Sequence, residues 1–480
     1  MRGLQCEKNL WLHLNKPELE PKTDTATQMQ FDEGNEVGEL ARKLAGKGVL
    51  IDVPYYEYQN AHDATQLAIK NGEKLIFEAA FLHKDLFARA DILKKDKNGW
   101  HLIEVKKSTS VKDYHIPDAS IQTYIVESAG LKVKSTSIRF INNEVVYPDI
   151  DDLFETEDIT GFVRIFMDKA LEKQLSELRK AINTKTEPKT KIGEHCGDPF
   201  ECTFKDYCWK AVPKKSVFDL PNLNSEKKWN LFNAGKKKIT DLDASDYTKT
   251  TRRAIEVTTS NKLHIDPDII SKRLSDWVYP FYFFDFETIG PAIPRYKNTR
   301  PYAQIPFQFS CHVWSSPKTK KLDHFEYLHT IATDPRPELI KSMLGGLKTE
   351  GSIVAYNKSF EIGVIKKLAE FDSKNSKKLL ALIDRFVDPL PIFKEAVYHP
   401  DFLGSFSIKS VAPALIGDHL SYDNLEIGNG TDAQSAANQI LQGKIKGKDL
   451  DKIVESLLIY CRQDTMAMVE MVKWLLKNSA

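Results

Sequence analysis

The chain has 480 residues, 41% hydrophobic and 28% charged, with 68 Lys and Arg against 67 Asp and Glu. That length is too great for one ordinary domain, and the composition is that of a soluble globular protein. A formal net charge of +1 neither supports nor excludes a polyanionic partner, so any positive field must be local. The candidate patches are Lys94-Lys95, Lys106-Lys107, Lys236-Lys237-Lys238 and Arg252-Arg253, and each such run is more often a solvated face than a binding site. The longest apolar stretches, such as Tyr279 to Phe284, are too short to span a bilayer. No basic-then-apolar leader opens the chain, which makes a cytoplasmic location the expectation.

Residues Gly72 to Val105 read as strands separated by turns: Leu75 to Ala80, Ala88 to Leu93 and Trp100 to Val105, with Asp96-Lys97-Asn98-Gly99 as a hairpin turn by its Asn-Gly chemistry. Pro117 to Ala129 reads as a helix closed by Gly130. Asp158 to Asn183 reads as a long, polar-faced helix. Ser216 to about Asp276 reads as a helical connector, in which Ser225 caps a helix running to Ala234 and Gly235 stops it. From Val278 the pattern becomes a dense apolar strand, Phe281 to Glu287, and strands and helices then alternate to the end, as in an α/β layer.

The six cysteines fall into two groups. Cys311 and Cys461 stand alone in apolar surroundings and read as buried packing residues. Cys6 and the segment Cys196-x5-Cys202-x5-Cys208 form a set of four, which in a cytoplasmic chain argues for a metal centre over disulfides.

Two constellations of acids carry candidate chemistry. In the C-terminal part, Asp285 and Glu287 leave the same face of a strand, at a cost unless a cation neutralises them. Glu361 begins a helix after a second apolar strand, Ser352 to Tyr356. Tyr460 and Asp464 are one turn apart on a helix beginning near Leu450. Four carboxylates and a phenol suit two-metal phosphodiester hydrolysis: the acids hold two divalent ions about 4 Å apart and the phenol orients the water. Asp388 and His399 lie nearby, and Asp388 reads as an ordinary strand-end acid. In the N-terminal part, Asp91 stands on one hairpin strand and Glu104 with Lys106 on its partner, a pattern able to bind metal and set a lysine beside a phosphate. Glu78, on the preceding strand, could add a ligand. Acid-x-Lys alone is a very common pairing on edge strands.

Asp-x-Glu, then Asn357-Lys358-Ser359-Phe360-Glu361, then Tyr460-x-x-x-Asp464 resemble the DnaQ-like exonucleases in their tyrosine-containing DEDD branch, across roughly Trp277 to Asn478. The resemblance implies an RNase H-like fold, with Asp285, Glu287, Glu361 and Asp464 as metal ligands and Tyr460 orienting water. Phe402 to Ser410 resembles the Ser-Leu-Lys element of that superfamily. The family usually has Asp at the position of Glu361. Asp91, Glu104 and Lys106 resemble the RecB-like PD-(D/E)xK nucleases, and Cys6 with Cys196, Cys202 and Cys208 resembles their iron–sulfur staple. This implies a [4Fe–4S] cluster, with Zn²⁺ as the physical alternative. Two departures stand out: no histidine occupies the first helix around Glu33 to Leu44, and Asp118-x-x-x-Gln122 with Tyr124 stands where a Gln-x-x-x-Tyr helix is usual. Related chains have an element before the first cysteine, which implies a natural start upstream of Met1.

The expectation is therefore an α/β multidomain protein resembling a family of two-nuclease fusions: a restriction-endonuclease-like core with the cysteines (1–212), a small helical connector (213–276) and an RNase H-like exonuclease (277–480). The implied function is hydrolysis of DNA with Mg²⁺ or Mn²⁺, acting on single-stranded DNA or DNA ends, without a membrane. An RNA-directed exonuclease, or a nucleic-acid-binding protein with one or both sites inert, remains open.

Overall fold

The structure is a computed structural model describing residues 1–479. Its α/β secondary structure is divided between two compact units: residues 1–209 with 291–303, and residues 210–290 with 304–480. No helix among the described residues is long and apolar enough to cross a membrane.

In the first unit six strands lie side by side in chain order: β1 (Val49–Leu50), β2 (Leu75–His83), β3 (Leu86–Lys95), β4 (Trp100–Lys106), β5 (Val133–Ile141) and β6 (Phe154–Asp158). β2, β3 and β4 form the expected antiparallel meander, and β5 runs parallel to β4. The Asp96–Gly99 turn closes as its sequence demands, with Asp96 accepting from the amides of Asn98 and Gly99 and Gly99 at φ 144, where a Cβ is disfavoured. The β4–β5 crossover is the helix His115–Ser128. Its Ile125 and Val126 join Ile76, Phe81, Leu93 and Leu102 in one core. Ala79, Ala88 and Ala90 on the sheet are fully or almost fully buried, small enough to let a helix approach. The helix expected over Asp158 to Asn183 forms as Thr160–Phe166 and Glu172–Ile182 joined by a π-helical turn, Met167–Leu171. Pairing of β2 with β3 skips Glu78 and Asp91, where Glu78 takes φ 55. That is a strained conformation for a residue with a side chain, of the sort that gathers at functional positions.

The second unit is built on β8 (Phe281–Ile289), β9 (Ile305–Trp314), β10 (Asp323–Leu328), β11 (Ser352–Val354) and β12 (Phe386–Val387), in the order β10-β9-β8-β11-β12. A short pair, β7 (His264–Ile265) with β13 (Val397–Tyr398), lies apart. β8 is parallel to β11 and antiparallel to β9. Alternation along β8 sends Tyr282, Phe284 and Phe286 into a core with Leu339, Met343 and Leu368. Its other face, Phe281 and Phe283, packs on Met468, Val469 and Val472 of the helix Lys448–Lys477. Polar side chains of β9 fix that helix: Gln308 donates to the Leu457 carbonyl at 2.8 Å, and Thr465 Oγ1 meets Ser310 and His312, each at 2.8 Å.

Contacts divide the chain differently from the sequence expectation. Val217, Leu220, Ile239, Ile255 and Ile270, from the expected connector, share a core with Phe393, Tyr398, Val411 and Met471, so their apolar faces make 210–276 part of the second unit. Residues 291–303, between β8 and β9, belong to the first. Asn224, not Ser225, caps the helix Ser225–Asn233, because Asn224 is the extended residue whose side chain accepts from the Lys227 amide. Phe309, fully buried in the core over β8, should cost about 3–5 kcal/mol when changed to Ala. The check is the urea midpoint of the second unit's unfolding transition, and an unmoved midpoint would refute that packing.

Candidate functional site

β8 turns from apolar to acidic along one face, so Asp285 and Glu287 continue the row begun by Phe281 and Phe283 and lie beneath the helix Lys448–Lys477. From that helix Tyr460, Cys461 and Asp464 are buried. Asp285, Glu287 and Cys461 each offer a ligand atom within 4.8 Å of the others. Asp464 lies outside that group, accepting from the Tyr422 hydroxyl at 2.5 Å. Glu361, in the first turn of the helix Ser359–Phe371, is 2% exposed, and its Oε2 has no hydrogen-bond partner.

The electrostatics are those of like charges buried together. Burial, then the charges of Asp464, Glu287 and Glu361, hold the Asp285 carboxyl well above the usual carboxylate range. Burial and Asp464 do the same to Glu287. Asp464 is pushed up to about 6 by burial, against hydrogen bonds from Tyr422 and Tyr460. Glu361 is pushed up to about 8 by burial, with Asp388 adding to the rise. The opposing cation is Lys409, which donates to the Gly428 carbonyl at 2.7 Å and the Tyr460 hydroxyl at 3.3 Å. It also lies over the rings of Tyr422 and Tyr460. One lysine against four carboxylates leaves a deficit that a divalent cation would fill. Asp388 accepts from the amides of Asn357, Lys358 and Leu390, which is strand-end work. His399 accepts from the Asp401 amide.

In the first unit, Asp91 Oδ2 accepts from the Val105 amide at 2.7 Å, across from Glu104. Lys106 Nζ donates to Glu104 at 3.3 Å and to Asp118 at 2.9 Å. Burial is the main cause that pushes Asp91 up to about 6 and Glu104 up to about 8; Gln122 hydrogen-bonds Glu104 in the opposite sense. Glu78 is held by Arg42 at 2.8 Å and raised by burial. Among the described residues no third acid joins Asp91 and Glu104 within 4.8 Å. Asp118 and Gln122 thus reach the acid–lysine pair from the helix His115–Ser128. His115 does too: burial and the charge of Lys106 push it down to about 4, leaving a neutral imidazole. Glu33, in the first long helix, instead holds Lys107 and the Ala292 amide.

The expected basic patches are largely spent on the fold. Arg252 and Arg253 donate to backbone carbonyls, and Lys95 covers the Trp100 ring.

Cys6, Cys196, Cys202 and Cys208 are free thiols lining one cavity of about 20 Å³ together with Lys8 and Asn9. Asn9 Nδ2 donates to Cys202 Sγ at 3.2 Å. Burial raises the Cys202 and Cys208 thiols, and the other cysteines add to it. Among the described residues no three of these sulfurs lie within 4.8 Å of one another.

The expected burial of Cys461 holds, and the structure adds that it lies one turn before Asp464, beside Asp285 and Glu287. Two further residues of the acid pocket escaped the sequence expectation. Lys409 lies in the Phe402–Ser410 element without having been singled out, and Tyr422 comes from an irregular loop without any periodic signal.

The molecule is thus a two-unit α/β protein with a buried carboxylate and thiol pocket in one unit and an acid–lysine cleft in the other. Residues 282–407 match the family described as "Domain of unknown function (DUF2779)", a segment that includes Asp285, Glu287 and Glu361 and stops short of Lys409. The chain is similar to the uncharacterized protein UU173 of Ureaplasma parvum, 28% identical over 223 residues, covering 42% of this chain and 31% of that one. It is also similar to the uncharacterized protein MG366 of Mycoplasma genitalium, 26% identical over 206 residues, covering 40% and 31%. The chain's match thus spans 31% of the length of each relative. No solved structure matches.

Because Asp464 and Glu361 hold their protons more tightly folded than unfolded, their contribution to stability is present at low pH. It is lost as pH rises through about 6 and then about 8. Metal-free protein should therefore melt lower at about pH 8.5 than at about pH 5.5, and millimolar Mn²⁺ should restore the loss. An Asp464→Asn, Glu361→Gln variant should flatten the trend, and an equal slope in that variant would refute the assignment.

Proposed function

We propose that this chain is a metal-dependent nuclease that hydrolyses phosphodiester bonds of DNA. It would have a 3′–5′ exonuclease site in the second unit and a second nuclease site in the first. The observation that carries the reading is the gathering of Asp285, Glu287, Asp464 and Glu361 around the central strand of a mixed sheet, with one lysine against them and Tyr460 alongside. That placement is what the likeness to DnaQ-like exonucleases with an RNase H-like fold implies. The antiparallel β2–β3–β4 meander carrying Asp91, Glu104 and Lys106 supports a restriction-endonuclease-like core in the first unit.

Asp285, Glu287 and Asp464 would hold Mg²⁺ or Mn²⁺, with Glu361 reaching a second ion. A bound divalent ion there would lower the pKa of a water and neutralise charge on the phosphate. Tyr422 and Tyr460 hold Asp464 in place, and the Tyr460 hydroxyl, steadied by Lys409, is set to orient the attacking water. In the first unit Asp91 and Glu104 would supply the acids, and Lys106, fixed between Glu104 and Asp118, would face the phosphate oxygens on which negative charge develops. Cys6, Cys196, Cys202 and Cys208 would hold a [4Fe–4S] cluster, tying the N-terminal residues to the segment after the core. A binding-only reading is favoured by two departures from the family patterns, Glu361 where Asp is usual and a first helix around Glu33 to Leu44 without a histidine. Salt-dependent binding without turnover in any divalent metal would establish it.

The Asp285→Ala, Asp464→Ala double variant should lose Mg²⁺- or Mn²⁺-dependent 3′–5′ digestion of single-stranded DNA by roughly a thousandfold. Glu104→Ala with Lys106→Ala should remove what remains. Undiminished digestion by the first variant sinks the exonuclease assignment, and matched RNA oligonucleotides test the polymer. Protein purified without oxygen should be brown, with broad absorbance near about 400 nm, and should lose that colour on Cys202→Ser. Colourless protein with stoichiometric zinc would overturn the cluster.

A further inference from the structure

The acid–lysine site of the first unit opens into a cleft of about 630 Å³, lined by Lys106 and Asp118 and also by Thr109, Lys112, Tyr114 and Phe200. That volume is of small-ligand scale and far too small for a duplex. Phe200 is the unusual member. Its side chain is 51% exposed, in a chain that buries most of its phenylalanines, and its ring meets Tyr114 at 4.8 Å with planes 66° apart. Tyr114 in turn meets His115 at 4.6 Å.

The exposed ring is held in place. Its backbone carbonyl accepts from Gln5 Nε2 at 2.6 Å. It lies between Cys196 and Cys202, both buried, and the Cys202 amide donates to the Cys196 carbonyl at 2.9 Å. An apolar ring kept in water on an anchored loop loses little conformational freedom when something covers it. Charge points to what that is. Lys106 and Lys107 are paired with Asp118 and Glu33. Among the described residues Lys112 is the lysine of this lining without a carboxylate partner, and it is exposed.

We propose that Tyr114 and Phe200 form a stacking platform for an unpaired base of single-stranded DNA, with Lys112 and the Thr109 hydroxyl taking the adjoining phosphate. Stacking on side chains requires a free base face, which a duplex interior does not offer, and an aromatic pair beside a cation is the combination that single strands use. This rests on the nuclease reading of the first unit and names the form of its substrate. The segment between the cysteines thereby becomes part of the substrate site.

The test uses the full chain in EDTA with a short oligonucleotide carrying one 5-iododeoxyuridine, photocrosslinked and mapped by peptide mass spectrometry, so that the second unit's own binding is read separately. The expected result is a crosslink at Tyr114 or Phe200. It should fall roughly 5- to 150-fold in apparent affinity on Phe200→Ala, the range for one stacked base, and recover on Phe200→Trp. Lys112→Ala should lower the salt slope of that crosslink by about one. Crosslinks in the first unit that Phe200→Ala leaves unchanged overturn the platform while the nuclease reading stands. No crosslink in the first unit with DNA or RNA overturns both.

Discussion

Much of the second unit is arranged around the burial of like charges under one helix. Asp285, Glu287 and Asp464 repel one another in a place water hardly reaches, and only sheet packing forces them together. Phe281 and Phe283 seat the helix Lys448–Lys477 on β8, while Gln308, Ser310 and His312 fix how far along the sheet it lies. A slip of one residue in β8 would turn Asp285 and Glu287 into the opposite, apolar core. The aromatic density of that strand therefore supports position as much as stability. Lys409, the cation that faces these acids, is also enclosed by the rings of Tyr422 and Tyr460.

The first unit solves a similar problem differently. Its acids meet more cations: Lys106 sits between Glu104 and Asp118, and Arg42 pairs with Glu78, so much of the charge is met within the protein. His115, kept neutral, adds a polar group without adding charge. The strained backbone of Glu78 breaks the pairing of β2 with β3 opposite Asp91, while the Asp91 carboxylate turns to the Val105 amide of β4.

What could be read from the sequence follows the range over which each signal acts. Period-two alternation and Asn-Gly chemistry located the β2–β4 meander, and the Asp285/Glu287 spacing placed both on one face, because such rules act within a few residues. Gly130 closed its helix as expected. Cys461 is buried as its apolar surroundings indicate, and only the position of β8 beneath it reveals its acidic neighbours. Tyr422 and His115 reach their sites through loops and crossovers whose course depends on tertiary contacts. The connector was drawn as separate because its helices are polar on one face; their apolar residues find partners more than a hundred positions away, at Phe393 and Met471.

The excursion of residues 291–303 has a consequence for synthesis. Within the first unit Glu33 accepts from the Ala292 amide, and Tyr302 donates its hydroxyl to the Lys107 carbonyl. Those partners leave the ribosome long after β1 to β6. The first unit must wait, incomplete along that edge, while the 81 residues from Lys210 to Gly290 emerge. By then β8 is already outside, so the two units reach completion as overlapping events in a growing chain.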